Sequence, residues 1–261
     1  MSGLQQVIKT ALGPHFSPNK IYINCACRTV VVLNPKVGST SFRHTLTKGL
    51  REVQGRKYAS DGIYRLFKKA RDFPVAPVRD YFHVLAHPEQ YEFYCFVRNP
   101  YARLKSAWID KLAYGHERGY PRSFRGWRLD RIRRFATARD LPGGEDNSPI
   151  SFTTFVAYVE SEPTGKRNHH WDEQYTVLMM DRIAFTRAFK IETEFVAGMK
   201  HILRRVGLDD PRVTGELDTP RNPSQKGGEL VFTQDLADRA LRIFARDFET
   251  FGYPTDSWNG M

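Results

Sequence analysis

Apolar and polar positions along the chain alternate between stretches of continuous hydrophobicity and stretches with helical spacing. The run Arg28-Thr-Val-Val-Val-Leu33 is β-branched and apolar almost throughout. It predicts a strand buried on both faces, as in a parallel sheet. The run stops at Asn34-Pro35, and across 39–50 Phe42, Leu46 and Leu50 recur at helical spacing. Tyr91-Glu-Phe-Tyr-Cys-Phe-Val97 predicts a second buried strand. Asn99-Pro100 then opens a helix over 101–114, with Asn as its cap and Pro in its first turn. The segment Tyr81-Phe-His-Val-Leu-Ala-His87 reads as a further strand running toward the same end of the sheet. Residues 140–149 form a loop, 151–159 a capped helix, 184–191 a shorter strand and 192–206 a helix. A long Gly-, Pro- and Asp-rich loop covers 207–229, and a last helix covers 233–248, with Gly252 and Pro254 beyond its end. Strands alternating with helices predict an α/β fold, a single domain over 1–261 with a central, mostly parallel sheet flanked by helices. Residues 1–20 read as an N-terminal arm.

Composition narrows the class. Of 261 residues, 41% are hydrophobic and 26% charged, which excludes global disorder. No run approaches the ~20 apolar residues of a membrane span, and the N-terminus lacks the basic start and apolar core of a secretory signal. Cys25, Cys27 and Cys95 make no closed disulfide set and fit a reducing compartment. Cys25 and Cys27 are expected on one face of a strand. Forty Lys and Arg against 29 Asp and Glu give a net charge of +11, which predicts an anionic partner. Eight arginines fall between positions 118 and 139 (Arg118, Arg122, Arg125, Arg128, Arg131, Arg133, Arg134 and Arg139), interleaved with Tyr120, Phe124, Trp127 and Phe135. They form either a solvated helix face or a surface for an acidic acceptor. The second reading makes 116–149 an Arg-rich insertion that binds acceptor. No RNA-binding or zinc-finger signature accompanies them, so nucleic acid is not expected as a partner.

Two segments carry candidate chemistry. In Val30-Val-Val-Leu-Asn-Pro-Lys-Val-Gly-Ser-Thr-Ser-Phe42 a strand ends, a tight turn holds Lys36 and Gly38, and a helix opens on three hydroxyl residues. Backbone N–H groups of such a turn converge on an anion, and the helix N-terminus adds its positive end. Gly38 lets the backbone come close, Lys36 brings a mobile charge, and Ser39, Thr40 and Ser41 bring hydroxyl donors. The Walker spacing is absent, because the lysine precedes the glycine. An ordinary strand-to-helix turn with a serine cap has the same outline. The second segment, Phe96-Val-Arg-Asn-Pro-Tyr-Ala-Arg-Leu-Lys-Ser-Ala-Trp108, puts Arg98 at a strand end and Ser106 about two helical turns beyond the Asn99 cap. Two anion sites at the carboxyl ends of parallel strands suit one ligand with two separated anionic groups.

This pair of segments resembles the nucleotide-binding motifs of sulfotransferases that use 3′-phosphoadenosine-5′-phosphosulfate. It is most similar to carbohydrate sulfotransferases of the chondroitin and HNK-1 kind and to their bacterial relatives. Three later stretches agree in order: His170-Trp171 with Gln174, Lys190-Ile-Glu-Thr193, and Asp247-Phe-Glu-Thr-Phe-Gly-Tyr253. The resemblance implies a P-loop-like sulfotransferase fold and transfer of a sulfuryl group to a hydroxyl of a carbohydrate. It also implies that the loop of Pro35, Lys36, Val37, Gly38, Ser39, Thr40 and Ser41 holds the 5′-phosphosulfate, and that Arg98 and Ser106 hold the 3′-phosphate. The chain departs from the animal members in the membrane anchor and paired cysteines they carry, which points to a cytoplasmic, bacterial enzyme.

Sulfuryl transfer shares the loose, in-line logic of phosphoryl transfer, so a cation at the bridging oxygen stabilises the leaving group. Lys36 is the candidate for it. No metal is required, and no spacing in the sequence suits one. The acceptor hydroxyl needs a base, for which His83, His87 and His170 are the candidates in that order. Two other functions fit parts of the sequence: a P-loop-like nucleotide or small-molecule kinase, and a non-catalytic polyanion-binding module.

Overall fold

The computed structural model describes residues 13–55, 74, 76–113, 127–145, 148–215, 217 and 232–259. Residues 1–12 of the expected arm, the 114–126 part of the Arg-rich stretch with Arg118, Arg122 and Arg125, and most of the 207–229 loop lie outside the described residues. In chain order the elements are β1 (Ile21–Asn24), β2 (Thr29–Val32), α1 (Ser39–Glu52), α2 (Val78–Ala86), β3 (Glu92–Val97), α3 (Pro100–Trp108), α4 (Trp127–Thr137), α5 (Phe152–Ser161), α6 (Gln174–Val177), β4 (Arg187–Lys190), α7 (Ile191–Arg205), α8 (Pro211–Thr214), α9 (Gln234–Ile243) and α10 (Ala245–Phe251). A π-helical stretch, Ile109–Ala113, extends α3. The described residues fall into two compact units, one within Met1–Val97 and Thr176–Arg221, the other within Arg98–Tyr175 and Asn222–Met261.

The first unit is built on a four-stranded sheet in the order β1-β2-β3-β4. The β2–β3 and β3–β4 pairs are parallel, with Val31 opposite Tyr94 and Phe96 opposite Phe189. The sheet is therefore mostly parallel, as predicted, and β2 is buried along its whole length. An antiparallel edge strand, β1, was not anticipated: its Ile-Tyr-Ile-Asn is too short to show a period. The turn from β1 to β2 contains Cys25 and Cys27, so these cysteines do not share a strand face as expected. Asn24 shapes that turn by accepting the Cys27 N–H at 3.1 Å through its side chain.

One face of the sheet packs Val31, Tyr94, Phe96 and Phe189 against Phe42, Leu46 and Leu50 of α1 and Met199, Ile202 and Leu203 of α7. Each such buried aliphatic or aromatic side chain contributes roughly 1.5–3 kcal/mol. A glycine sets the distance of α7 from the sheet. A Cβ on Gly198 would lie 2.7 Å from Cγ of Phe189 and 2.9 Å from Cε1 of Phe96.

The expected strand at 81–87 is instead helix α2. Tyr81 and Val84, three residues apart, face inward while Phe82 and Leu85 are exposed, a helical period that the apolar composition masked. His87 and Pro88 end the helix. His83 and His87 therefore project from the end of a helix, not from a strand approaching the sheet edge.

The second unit is helical, with an aromatic core. Tyr101 of α3 meets Phe248 of α10 at a ring separation of 4.7 Å and Phe232 at 5.3 Å. Phe155 of α5 meets Trp171 at 5.3 Å. The predicted terminal helix is broken at Phe244 into α9 and α10, and it ends at Gly252 in the left-handed conformation. In α4, Ile132 and Ala136 are fully buried while Arg131 and Arg134 are exposed, so the described part of the arginine stretch is an amphipathic helix. Arg133 is structural: its buried guanidinium donates to the carbonyls of Gly143 and Ser148 at 3.3 and 3.2 Å.

Replacing Gly198 by alanine should force α7 away from the sheet and destabilise the protein by about 1–3 kcal/mol. Denaturant titration measures it, and an unchanged midpoint contradicts the close packing described.

Candidate functional site

Because β2 and β3 are parallel, their carboxyl ends emerge at the same sheet edge. Past β2 the chain passes through Leu33, whose N–H donates to the Lys20 carbonyl at 2.6 Å, and then turns over residues 35–38. Two residues of this turn are left-handed: Lys36 at φ 70° and Gly38 at φ 76°. For lysine that conformation costs about 1–2 kcal/mol, since its Cβ crowds the following carbonyl. Val37 between them is buried in the core and anchors the turn.

Gly38 is the N-cap of α1 and brings no side-chain cap, so the serine-capped turn that the sequence allowed is not what forms. Its carbonyl accepts the Phe42 N–H at 2.9 Å, while the first-turn N–H groups of α1 have no intrahelical acceptor. A Cβ on Gly38 would lie 2.7 Å from Cε2 of Phe195, so position 38 excludes larger residues on two grounds, φ and space. Lys36, Gly38, Ser39, Thr40 and Ser41 thus form a tight turn feeding a helix N-terminus, whose positive end favours an anion.

Arg98 is the first residue beyond β3, and the second unit begins with it. Its N–H donates to Oε1 of Gln174 at 2.9 Å, and Nε2 of Gln174 donates back to the Arg98 carbonyl at 2.7 Å. Asn99 caps α3 as predicted, accepting from the N–H groups of Tyr101 and Ala102 at 3.0 and 3.4 Å. Ser106 is buried on α3, about two turns beyond that cap.

Beneath Arg98 lies a set of buried charges. Asp247, fully buried, accepts the backbone N–H groups of Gln174 and Tyr175 at 2.8 and 2.9 Å. Burial pushes its carboxyl up to about 6, an effect these N–H donors and the Arg103 charge oppose. Arg103, also buried, donates to the carbonyls of Asp172 and His169 at 2.6 and 3.0 Å. Burial lowers its guanidinium to about 10, against the pull of Asp247 and Asp172. Glu173 is pushed up to about 7, first by burial and then by the charges of Asp247 and Asp172, while Arg167 and Arg246 oppose the shift.

The histidines occupy different settings. In the first unit the exposed His83 pairs its Nδ1 with the Tyr91 hydroxyl at 2.8 Å, and its ring lies 5.2 Å from that of His87. In the second unit Nδ1 of His170 lies 2.8 Å from Oδ1 of Asn168, which also accepts the His170 backbone N–H at 3.1 Å. An atom accepting that N–H is the amide oxygen, so Nδ1 carries the proton and Nε2 of the neutral ring keeps its lone pair. Among the described residues no group of three or more His, Cys, Asp or Glu is arranged to hold a metal ion. Sequence reasoning picked out the stretches containing Gln174 and Asp247 without seeing what they do. It missed Arg103 and Glu173 altogether. The one signal for Arg103 is a charged residue in the apolar helix spacing of Tyr101, Leu104 and Ala107.

A mostly parallel α/β sheet with a left-handed, glycine-capped turn beyond one of its parallel strands fits the P-loop-like class. The chain belongs to the sulfotransferase family, whose model matches residues 30–254. It is similar to carbohydrate sulfotransferase 14 of Danio rerio, with 28% identity over 188 residues that cover 70% of this chain and 48% of the relative. It is likewise similar to carbohydrate sulfotransferase 12 of Mus musculus, at 26% over 187 residues (64% of this chain, 41% of the relative). Carbohydrate sulfotransferase 11 of Rattus norvegicus matches at 28% over 181 residues, covering 65% and 49%. The matches thus span about half the length of these curated relatives or less. No solved structure matches the chain significantly.

Two measurements check the site's physical chemistry. Lys36→Gly relieves the left-handed strain that Lys36→Ala keeps, so in chemical denaturation the glycine variant should be the more stable by about 1 kcal/mol. Equal stabilities would contradict the strained turn. For Glu173, the folded-state value of about 7 lies above the ordinary 4.5. The native state therefore holds this proton more tightly, and the group's contribution to stability falls as pH rises from about 4.5 to 7. Glu173→Gln removes that cost, so its melting temperature should exceed the wild-type value at pH 8, with the gain shrinking toward pH 5. A gain independent of pH would count against it.

Proposed function

We propose that this chain moves the sulfuryl group of 3′-phosphoadenosine-5′-phosphosulfate onto a hydroxyl of a carbohydrate. The observation that carries the reading is the Lys36–Gly38 turn at the carboxyl end of β2, inside a sulfotransferase-family match that continues through Arg98 and Asp247. That its relatives are carbohydrate sulfotransferases supports a carbohydrate acceptor. Pro35, Lys36, Val37, Gly38, Ser39, Thr40 and Ser41 take the 5′-phosphosulfate, and Arg98 with Ser106 takes the 3′-phosphate.

In the reaction the sulfur's bond to the bridging oxygen breaks and a bond from sulfur to the acceptor oxygen forms. The leaving oxygen gathers negative charge, which the Lys36 ammonium and the N–H groups of the turn stabilise. The acceptor proton passes to a histidine. His170 is the best suited of the three candidates, because Asn168 holds its Nδ1–H and leaves Nε2 as the acceptor of a proton. The strand that favoured His83 is absent, and the tautomer argument moves His170 ahead of it. The exposed Arg131 and Arg134 of α4 suit an acceptor that carries negative charge.

The test is transfer of label from a radiolabelled sulfate donor to a panel of acidic and neutral glycans. Lys36→Ala is expected to lower kcat by about 10²–10³-fold, with adenosine 3′,5′-bisphosphate still bound. His170→Ala is expected to lower kcat with little change in donor KM. Normal turnover by the Lys36 variant would overturn the mechanism.

A further inference from the structure

Where a strand ends, its backbone loses the ladder that satisfied it, and the next peptide groups need other partners. The last pair of the β3–β4 ladder is Val97 with Lys190. Arg98 therefore leaves the sheet with both its N–H and its carbonyl unmatched by a strand. Gln174, 76 residues away, supplies both partners from one side chain, at 2.9 and 2.7 Å. A carboxamide offers a donor and an acceptor in one plane and so mimics the missing strand. Gln174 is itself fully buried and begins the short helix α6. Its backbone N–H and that of Tyr175 end on the two oxygens of Asp247, 73 and 72 residues further on. The linkage runs from the Asp247 carboxylate to the start of α6, and from the Gln174 carboxamide to the Arg98 backbone. Both bonds from the Gln174 carboxamide end on the Arg98 backbone.

We propose that Gln174, held in place by Asp247, is a positioning residue for Arg98, fixing the backbone from which the arginine reaches the 3′-phosphate of the donor nucleotide. The inference rests on the donor assigned above and extends it to residues that make no contact with the ligand. An arginine on a loose strand exit loses conformational freedom when it binds, and a clamped backbone has lost part of that freedom already. The chemistry requires glutamine in particular. Glutamate has the same shape and still accepts the Arg98 N–H, but it has no donor for the carbonyl and turns a carboxylate oxygen toward it.

The test compares dissociation constants for adenosine 3′,5′-bisphosphate and adenosine 5′-phosphate, which lacks the 3′-phosphate. It uses the full chain and calorimetry, on wild type, Gln174→Ala, Gln174→Glu, Asp247→Asn, Arg98→Ala and the Arg98→Ala/Gln174→Ala double variant. Phe155→Leu, a core change elsewhere in the second unit, is the control for destabilisation alone. Gln174→Ala and Gln174→Glu should each weaken bisphosphate binding by about tenfold and leave monophosphate binding unchanged. Asp247→Asn should do the same more weakly, and Phe155→Leu should not alter the ratio of the two constants. In the Arg98→Ala background, Gln174→Ala should add nothing. If wild type prefers the bisphosphate but the Gln174 variants weaken both nucleotides equally, or the double variant shows additive losses, the positioning role is overturned and the donor assignment stands. If wild type itself does not prefer the bisphosphate, the donor assignment falls, and this proposal with it. Should Gln174→Ala fail to fold, the isosteric Gln174→Glu decides the matter by the same ratio.

Discussion

A strand leaving the carboxyl edge of a parallel sheet must hand its backbone to new partners, and the candidate site follows from how two neighbouring strands do so. Beyond β2 the chain makes a turn with two left-handed residues and runs straight into α1. The first-turn N–H groups of that helix have no intrahelical acceptor, and a negative charge suits them. Beyond β3 the peptide of Arg98 is taken up by the side chain of Gln174. One exit runs into a helix start, while the other has its backbone taken up by a side chain. Both devices are backbone devices, which is why glycine, a strained lysine and a buried carboxamide stand where they do.

The second exit has an energetic cost. Holding Gln174 requires a fully buried aspartate, and that carboxylate draws a buried arginine and two further acids into its neighbourhood. Buried charges rarely add net stability, since desolvation cancels most of their attraction. The raised values of Asp247 and Glu173 are the signature of that cost. Apolar replacements would give a more stable helical unit, but they would give up the hydrogen bonds that fix the beginning of α6. The unit keeps its charges where they serve geometry, a common compromise at functional sites.

Much of this was legible in the sequence, and the limits have physical causes. The buried strands announced themselves because a parallel sheet permits unbroken apolar runs such as Val30-Val-Val-Leu33 and Phe93-Tyr-Cys-Phe-Val97. Asn99-Pro100 marked the start of α3 because capping is a local interaction. The turn of Lys36 and Gly38 was visible for the same reason, though not its left-handed lysine. The edge strand β1 was missed because four residues show no period. Helix α2 was mistaken for a strand because Tyr81-Phe-His-Val-Leu-Ala packs apolar residues on both its inward and its exposed faces. The hold of Gln174 on Arg98 spans 76 positions, and no local pattern encodes a contact at that separation. Family resemblance flagged the residues, and only the geometry shows the hydrogen bonds they make.

The central claim is that this chain binds a nucleotide through separate 5′ and 3′ anionic groups without a metal ion. Calorimetric titration with adenosine 3′,5′-bisphosphate in the presence of a chelator, set against ATP with magnesium, tests it most directly. The account predicts saturable binding of the bisphosphate in chelator, with ATP and magnesium clearly weaker. Tight binding of ATP that depends on magnesium, with no response to the bisphosphate, would contradict it and mark the chain as a kinase-like protein.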